Sequence, residues 1–308
     1  MRPIKKIHSD RPQHWVGDGF LVQTVINHLQ EDPEFNYQHT DPFLLLDFGT
    51  PTEFAPNPNF DSAPHGIGKH PHKGFETVTV AYHGAVSHKD SSGGAGTIYA
   101  GDVQWMTAGR GIVHEEFHAP EFGKTGGIFS MAQLWVNLPN AHKGAAPNYQ
   151  AIKRAEIPAL PILDLGSGRQ IGQLGLIAGQ VDEQLGAAKT FTPINVWDIK
   201  LTDKGTAQLS VANQHTLLLL IQEGQVMIND EVASAGQLIE FEAATPMSSK
   251  DRETFGRLCI QAPKSGARIL LLSGKPIGEP IAAHGPFVMT TADELKQAFS
   301  DYRRGHFG

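Results

Sequence analysis

The chain has 308 residues, a formal net charge of -7 and 40% apolar residues, enough for about two globular domains with ordinary cores. It carries no block of Lys and Arg of the kind that phosphate-backbone binding draws on, and no apolar run nears the 18 or so residues of a spanning helix. Direct nucleic-acid binding and a membrane role are therefore excluded as readings. The first 15 residues are charged and lack the apolar h-region of a signal peptide. One cysteine, Cys259, permits no intrachain disulfide, so the expected setting is a reducing cytoplasm.

In chain order, short apolar runs bounded by turn residues dominate. Examples are FLLLDF (43–48), TVTVAY (77–82), LWV (134–136) and LLLLI (217–221). Their length and punctuation predict strands, and Gly (33) and Pro (20) supply the turns. The predicted class is all-β, sandwich or barrel. A weak repeat joins the two halves. The run 77–84 ends at Gly84 and leads to GDVQWM (101–106); the run 216–224 ends at Gly224 and leads to GQLIEF (236–241). Pro147, Pro158 and Pro161 mark a linker between the halves. One helix is signalled near the end. Thr291 and Glu294 form a capping box, Leu295, Ala298, Phe299 and Tyr302 share a face, and Gly305 stops it. That face must bury somewhere, so the helix and the preceding HGPFVM (284–289) are expected to pack back on the protein.

Histidine is the unusual residue. Seven of the 15 fall between His65 and His118. In HPHKGFE (70–76), His70 and His72 are two apart, which on a strand points both imidazoles to one face. Pro71 excludes a helix there. In GRGIVHEEFH (109–118) the string His114 to His118 fits His-Glu-x-x-His, which binds zinc from a helix in proteases. Gly109, Gly111 and Pro120 leave no room for that helix. Read as a strand, His114, Glu116 and His118 share a face, and Glu115 and Phe117 point away. Together His70, His72, His114 and Glu116 form a metal-ligand set. Mixed N and O donors suit Fe(II), Mn(II), Ni(II), Cu(II) or Zn(II). Glu76 counts in phase with His70 and His72, which offers it as a further ligand, base or gate. His118 is read as a neighbour of the site that could replace a ligand. His65, His83 and His88 read as exposed turn residues, and Phe75, Trp105 and Met106 as core.

At this point the sequence resembles the pirin family of bicupins. The matching strings are DPFLLLD (41–47), HPHKGFETVT (70–79), GDVQWMTAGRGIVHEE (101–116), QLWVNLP (133–139) and HGPFVM (284–289). The resemblance implies two cupin jelly-roll barrels with a short C-terminal helix: a metal-binding barrel over 1–145, a linker over 146–168 and a metal-free barrel over 169–308. It implies a metal held by His70, His72, His114 and Glu116, usually Fe(II), with zinc, manganese, nickel, copper or cobalt as alternatives. The second half offers Ser210 and Ala212 where the first has His70 and His72. Around the slot of His114 it offers Ser248, Ser249 and Asp251.

Two functions follow as expectations. One is a dioxygenase that cleaves a flavonol-like aromatic substrate such as quercetin with O2, with Glu116 or Glu76 handling the proton. The other is a regulatory binding protein whose metal state sets its grip on a protein partner.

Overall fold

The computed structural model describes residues 1–9, 11–30, 32–242 and 255–307. The chain divides into two compact units: Pro12–Arg154 with Ile277–Gly308, and Met1–Arg11 with Ala155–Pro276. In the first unit a seven-stranded antiparallel sheet runs, in spatial order, Asn148–Ile152, Val103–Thr107, Phe75–His83, Gly127–Asn137, Phe43–Phe54, Phe20–Asn27 and Gln13–Val16. A four-stranded sheet runs Gly66–His72, Ile112–His118, Ala85–Asp90 and Ala95–Tyr99. The second unit repeats the plan. Its seven strands are Ile4–His8, Leu238–Phe241, Thr216–Glu223, Ala267–Gly274, Ile194–Leu201, Gln170–Ala178 and Ala159–Leu163. Its four are Gly205–Ala212, Phe255–Ala262, Gln225–Ile228 and Glu231–Ser234. The weak repeat in the sequence is thus a repeat of two whole barrels.

The unit boundaries depart from those read along the sequence, and strand pairing is the reason. The stretch read as a linker contains Asn148–Ile152, which pairs with Val103–Thr107 and closes the edge of the first barrel. It also contains Ala159–Leu163, which pairs with Gln170–Ala178 in the second. The second barrel takes its matching edge from the start of the chain: Ile4–His8 pairs with Leu238–Phe241. Buried Glu240 secures that edge, accepting from Lys5 Nζ and meeting His8 Nε2, each at 2.8 Å.

The last 32 residues return to the first barrel. The helix Ala292–Arg303 is capped by Thr291 with the reciprocal Glu294 bond, as its sequence predicted. Ala298 is fully buried and packs with Phe287, Met289 and Phe307 against Val113, which lies on the strand carrying His114. Beneath this arm, buried Lys143 donates from Nζ to the carbonyls of Gly74 (2.9 Å) and Val288 (3.0 Å) and to Asn137 Oδ1 (2.7 Å). Phe287 is 0% exposed, so Phe287→Ala should lower unfolding stability by about 3–5 kcal/mol, the usual cost of a large core truncation. Chemical denaturation measures this, and an unchanged midpoint would mean that the arm contributes no stability.

Candidate metal centre

Two paired strands place the site. Gly66–His72 is an edge strand, the position that tolerates Pro71. It pairs with Ile112–His118 so that His70 stands opposite His114 and His72 opposite Ile112. Residues 112–118 alternate in burial, with His114, Glu116 and His118 buried and Val113, Glu115 and Phe117 less so. The segment is a strand, and the helical protease reading is excluded. A bulge between His114 and Glu116 shifts the register.

His70, His72 and His114 each offer a ring nitrogen, and these atoms lie within 4.8 Å of one another. The ring centroids are 4.3 Å apart for His70 and His114 and 4.9 Å for each of the other two pairs. His70 Nδ1 donates to the Gly68 carbonyl at 2.9 Å, which orients that ring and frees Nε2. The Pro286 carbonyl lies near the His72 ring and favours its charged form, against the larger effect of burial. His72 Nδ1 and both nitrogens of His114 are buried with no hydrogen-bond partner. Burial, reinforced by the neighbouring histidines, holds His72 and His114 well below the usual imidazole range, so both rings are neutral, the form that ligates. Buried polar atoms are nearly always satisfied. Three converging imidazoles, two of them buried and neutral with orphaned nitrogens, therefore fit a divalent transition metal.

Glu116 stands outside that 4.8 Å group but lines the same cavity, and its Oε2 accepts from Gln133 Nε2 at 3.1 Å. The cavity measures about 110 Å³. Val16, Phe20, Val22, Ile67 and Met131 make an apolar wall; Asp47, Gln133 and Trp135 face it with polar groups. Trp135 stacks on Phe75 at 4.3 Å and meets His72 edge-on at 5.1 Å.

Glu76 is not brought to this cavity, which corrects its reading as a ligand, base or gate. Met131, Gln133 and Trp135 line the cavity and stand opposite Ala81, Thr79 and Thr77. Glu76 alternates to the other face of the sheet, where Oε1 accepts from Thr107 Oγ1 at 2.7 Å and burial raises its pKa to about 7. The phase counted from His72 fails because Gly74, at φ +90°, turns the chain between the two strands. Only glycine suits that turn, since a Cβ there would lie 1.9 Å from the Val288 carbonyl oxygen.

His118 is buried among Phe20, Phe54, Phe122 and Phe129, its Nε2 donating to the Gly19 carbonyl at 2.8 Å. That is a packing role. His83 is exposed, as expected; His65 is half-buried, and its Nδ1 meets Asp18 at 2.8 Å. His88 is buried instead, opposite Glu116 in register and stacked on Tyr149 at 4.9 Å. Phe75, Trp105 and Met106 are fully buried.

The second barrel has no such set among its described residues. Ser210 faces solvent, because the inward residues are one position away. Leu209 pairs with Leu258 across the two strands that match Gly66–His72 and Ile112–His118 in sheet order. Val211, Leu258 and Ile260 fill the interior. Ser248, Ser249 and Asp251 lie outside the described residues.

Comparison with known proteins agrees with this architecture. The family model described as Pirin matches residues 23–136, and the model described as Pirin C-terminal cupin domain matches 196–308. The chain belongs to the pirin family. Both barrels are cupins. A crystal structure of quercetin 2,3-dioxygenase from Acinetobacter baumannii shares 42% identity at a TM-score of 0.87, covering 100% of this chain and 99% of that one. A provisionally named quercetin 2,3-dioxygenase of Pseudomonas aeruginosa is 39% identical over 100% of this chain and 99% of its own length. A pirin-like protein of Caulobacter vibrioides is 33% identical over 100% and 99%. Among the described residues, no helix is long and apolar enough to cross a membrane.

Several members of this pirin site escaped the sequence reading. Gln133 and Trp135 were within reach, since QLWVNLP alternates and both fall on one face. Lys143 and Pro286 act through tertiary contacts that leave no local pattern. Glu115, by contrast, is less buried than its neighbours and out of phase with the ligands. Glu115→Gln should leave metal content and turnover within about twofold, as for an ordinary surface change. Elemental analysis and an oxygen-uptake assay check this; loss of metal in that variant alone would restore the protease-like reading.

Proposed function

We propose that this pirin-family protein is a metal-dependent dioxygenase that opens quercetin-type flavonols with O2 and releases carbon monoxide, with Fe(II) as the metal. The observation that carries the reading is the convergence of three imidazoles, two of them buried with orphaned nitrogens, beside a cavity with an apolar wall. The full-length likeness to a quercetin 2,3-dioxygenase supports the substrate class. His70, His72 and His114 would hold the ion, and Glu116, which lines the same cavity, would be the fourth ligand. Bound Fe(II) supplies a redox partner that lets triplet O2 react with a singlet aromatic ring.

The chain's own groups do the rest. The apolar wall packs a flat ring and excludes water. Gln133 fixes the Glu116 carboxylate by its hydrogen bond. Trp135, braced by Phe75, holds the His72 ring from the side. The test is quercetin loss and oxygen uptake by metal-loaded protein, with carbon monoxide measured in the headspace. Equimolar consumption and release is expected; no oxygen uptake on any flavonol would overturn the proposal.

A further inference from the structure

The cavity contains an ionisable group that the ligand set does not use. Apart from the ligand residues, Asp47 is the one ionisable side chain lining it among the described residues. Asp47 lies on the strand Phe43–Phe54, with Thr24 opposite on one side and Gln133 on the other. Thr24 Oγ1 donates to its Oδ1. Among the described residues, no group donates to its Oδ2. The residue is 8% exposed, and its surroundings are the cavity, Thr24, and His14 as the charged group that acts on it. Burial raises its pKa to about 6, against smaller lowering by Thr24 and His14. A carboxyl with that value can gain and release a proton near neutral pH.

We infer that Asp47 is the base that takes the proton from the enolic or phenolic hydroxyl of a planar aromatic substrate in this cavity, an assignment that rests on the dioxygenase reading above. The substrate O–H bond breaks, its electron pair stays on the substrate oxygen, and the proton bonds to Asp47 Oδ2. No electron changes hands. Glu116 is the poorer base. Its Oε2 already accepts from Gln133, and the proposed function commits its carboxylate to the metal. A merely structural role for Asp47, pinned by Thr24, would not couple it to the ionisation of a ligand.

The experiment uses metal-loaded full-length protein under nitrogen, with quercetin as the probe and the long-wavelength absorbance of its ionised form as readout. Unmodified protein is expected to bind ionised quercetin at pH 7. In Asp47→Asn, which keeps the bond from Thr24, the ionisation midpoint of bound quercetin should rise by at least about one pH unit while metal content stays the same. Under air, kcat/KM should fall by roughly 100-fold, the lower end for loss of a general base. Thr24→Val removes a bond that favours the charged carboxylate, so the acid limb of kcat/KM should move to higher pH. An unchanged ionisation midpoint and pH profile in Asp47→Asn would overturn the role of Asp47 and leave the dioxygenase standing. Failure of the unmodified protein to bind or cleave flavonols would overturn both.

Discussion

Replacing His70 and His114 together by alanine is expected to take the purified protein from one equivalent of metal to nearly none. The two rings face each other across one strand pair at 4.3 Å, and they supply two of the three converging nitrogens. Losing a group that merely orients a ligand costs 10–100-fold in metal affinity, so losing two ligands should cost at least about 10,000-fold. Among its described residues the second barrel offers no compensating site: Leu209 pairs with Leu258, and Val211 and Ile260 pack beside them. Elemental analysis of protein purified without added metal decides the matter. Two equivalents in the unmodified protein, or full retention in the double variant, would refute the assignment.

His72→Ala should abolish oxygen-dependent loss of quercetin, with a drop of at least about 1,000-fold, or about 4 kcal/mol of transition-state stabilisation. His72 is the ligand best anchored. Its ring is buried, lies near the Pro286 carbonyl and is flanked by Phe75 and Trp135. Removing it takes away one of the three nitrogens that would hold the ion and opens space beside Phe75 and Trp135, so substrate position and metal retention should fail together. The assay follows quercetin under air and under nitrogen, with both proteins reconstituted with Fe(II). Equal rates in the variant, or without oxygen, would show that the site does not catalyse the reaction. A regulatory protein that grips a partner according to its metal state would then be the better account.

The candidate ligands could be picked out of the sequence because the strand period is two and each motif lies within one strand. His70 with His72, and His114 with Glu116, needed only that rule. It failed wherever the count crossed a turn. Gly74 at φ +90° reset the phase and sent Glu76 to the opposite face. Counting back from Gly224 named Ser210 and Ala212, when the inward residues were Leu209 and Val211. A slip of one residue exchanges the two faces of a strand. The C-terminal helix was legible because its cap is local: Thr291 and Glu294 are three residues apart. The edge strand Ile4–His8 was not, since its partner lies more than 200 residues away. Asp47 was hidden for another reason. It ends an apolar run, FLLLD, whose alternation is masked because the faces of the strand are both largely buried.

The exchange of chain ends between the barrels bears on how the protein is made. A ribosome completes the strands bearing His70 and His114 by residue 118, but the helix that packs behind Val113 ends at residue 303. At 5–20 residues per second that interval is roughly 10–40 s. The first-made barrel is therefore among the last to be finished. Throughout the wait its apolar outer face is uncovered, which is the period in which a chaperone would bind it. The opening strand Ile4–His8 waits as long for Leu238–Phe241. A nascent chain interrupted before Pro286 would carry the histidines without the carbonyl that lies near His72, so stalled products should emerge both sticky and poor in metal.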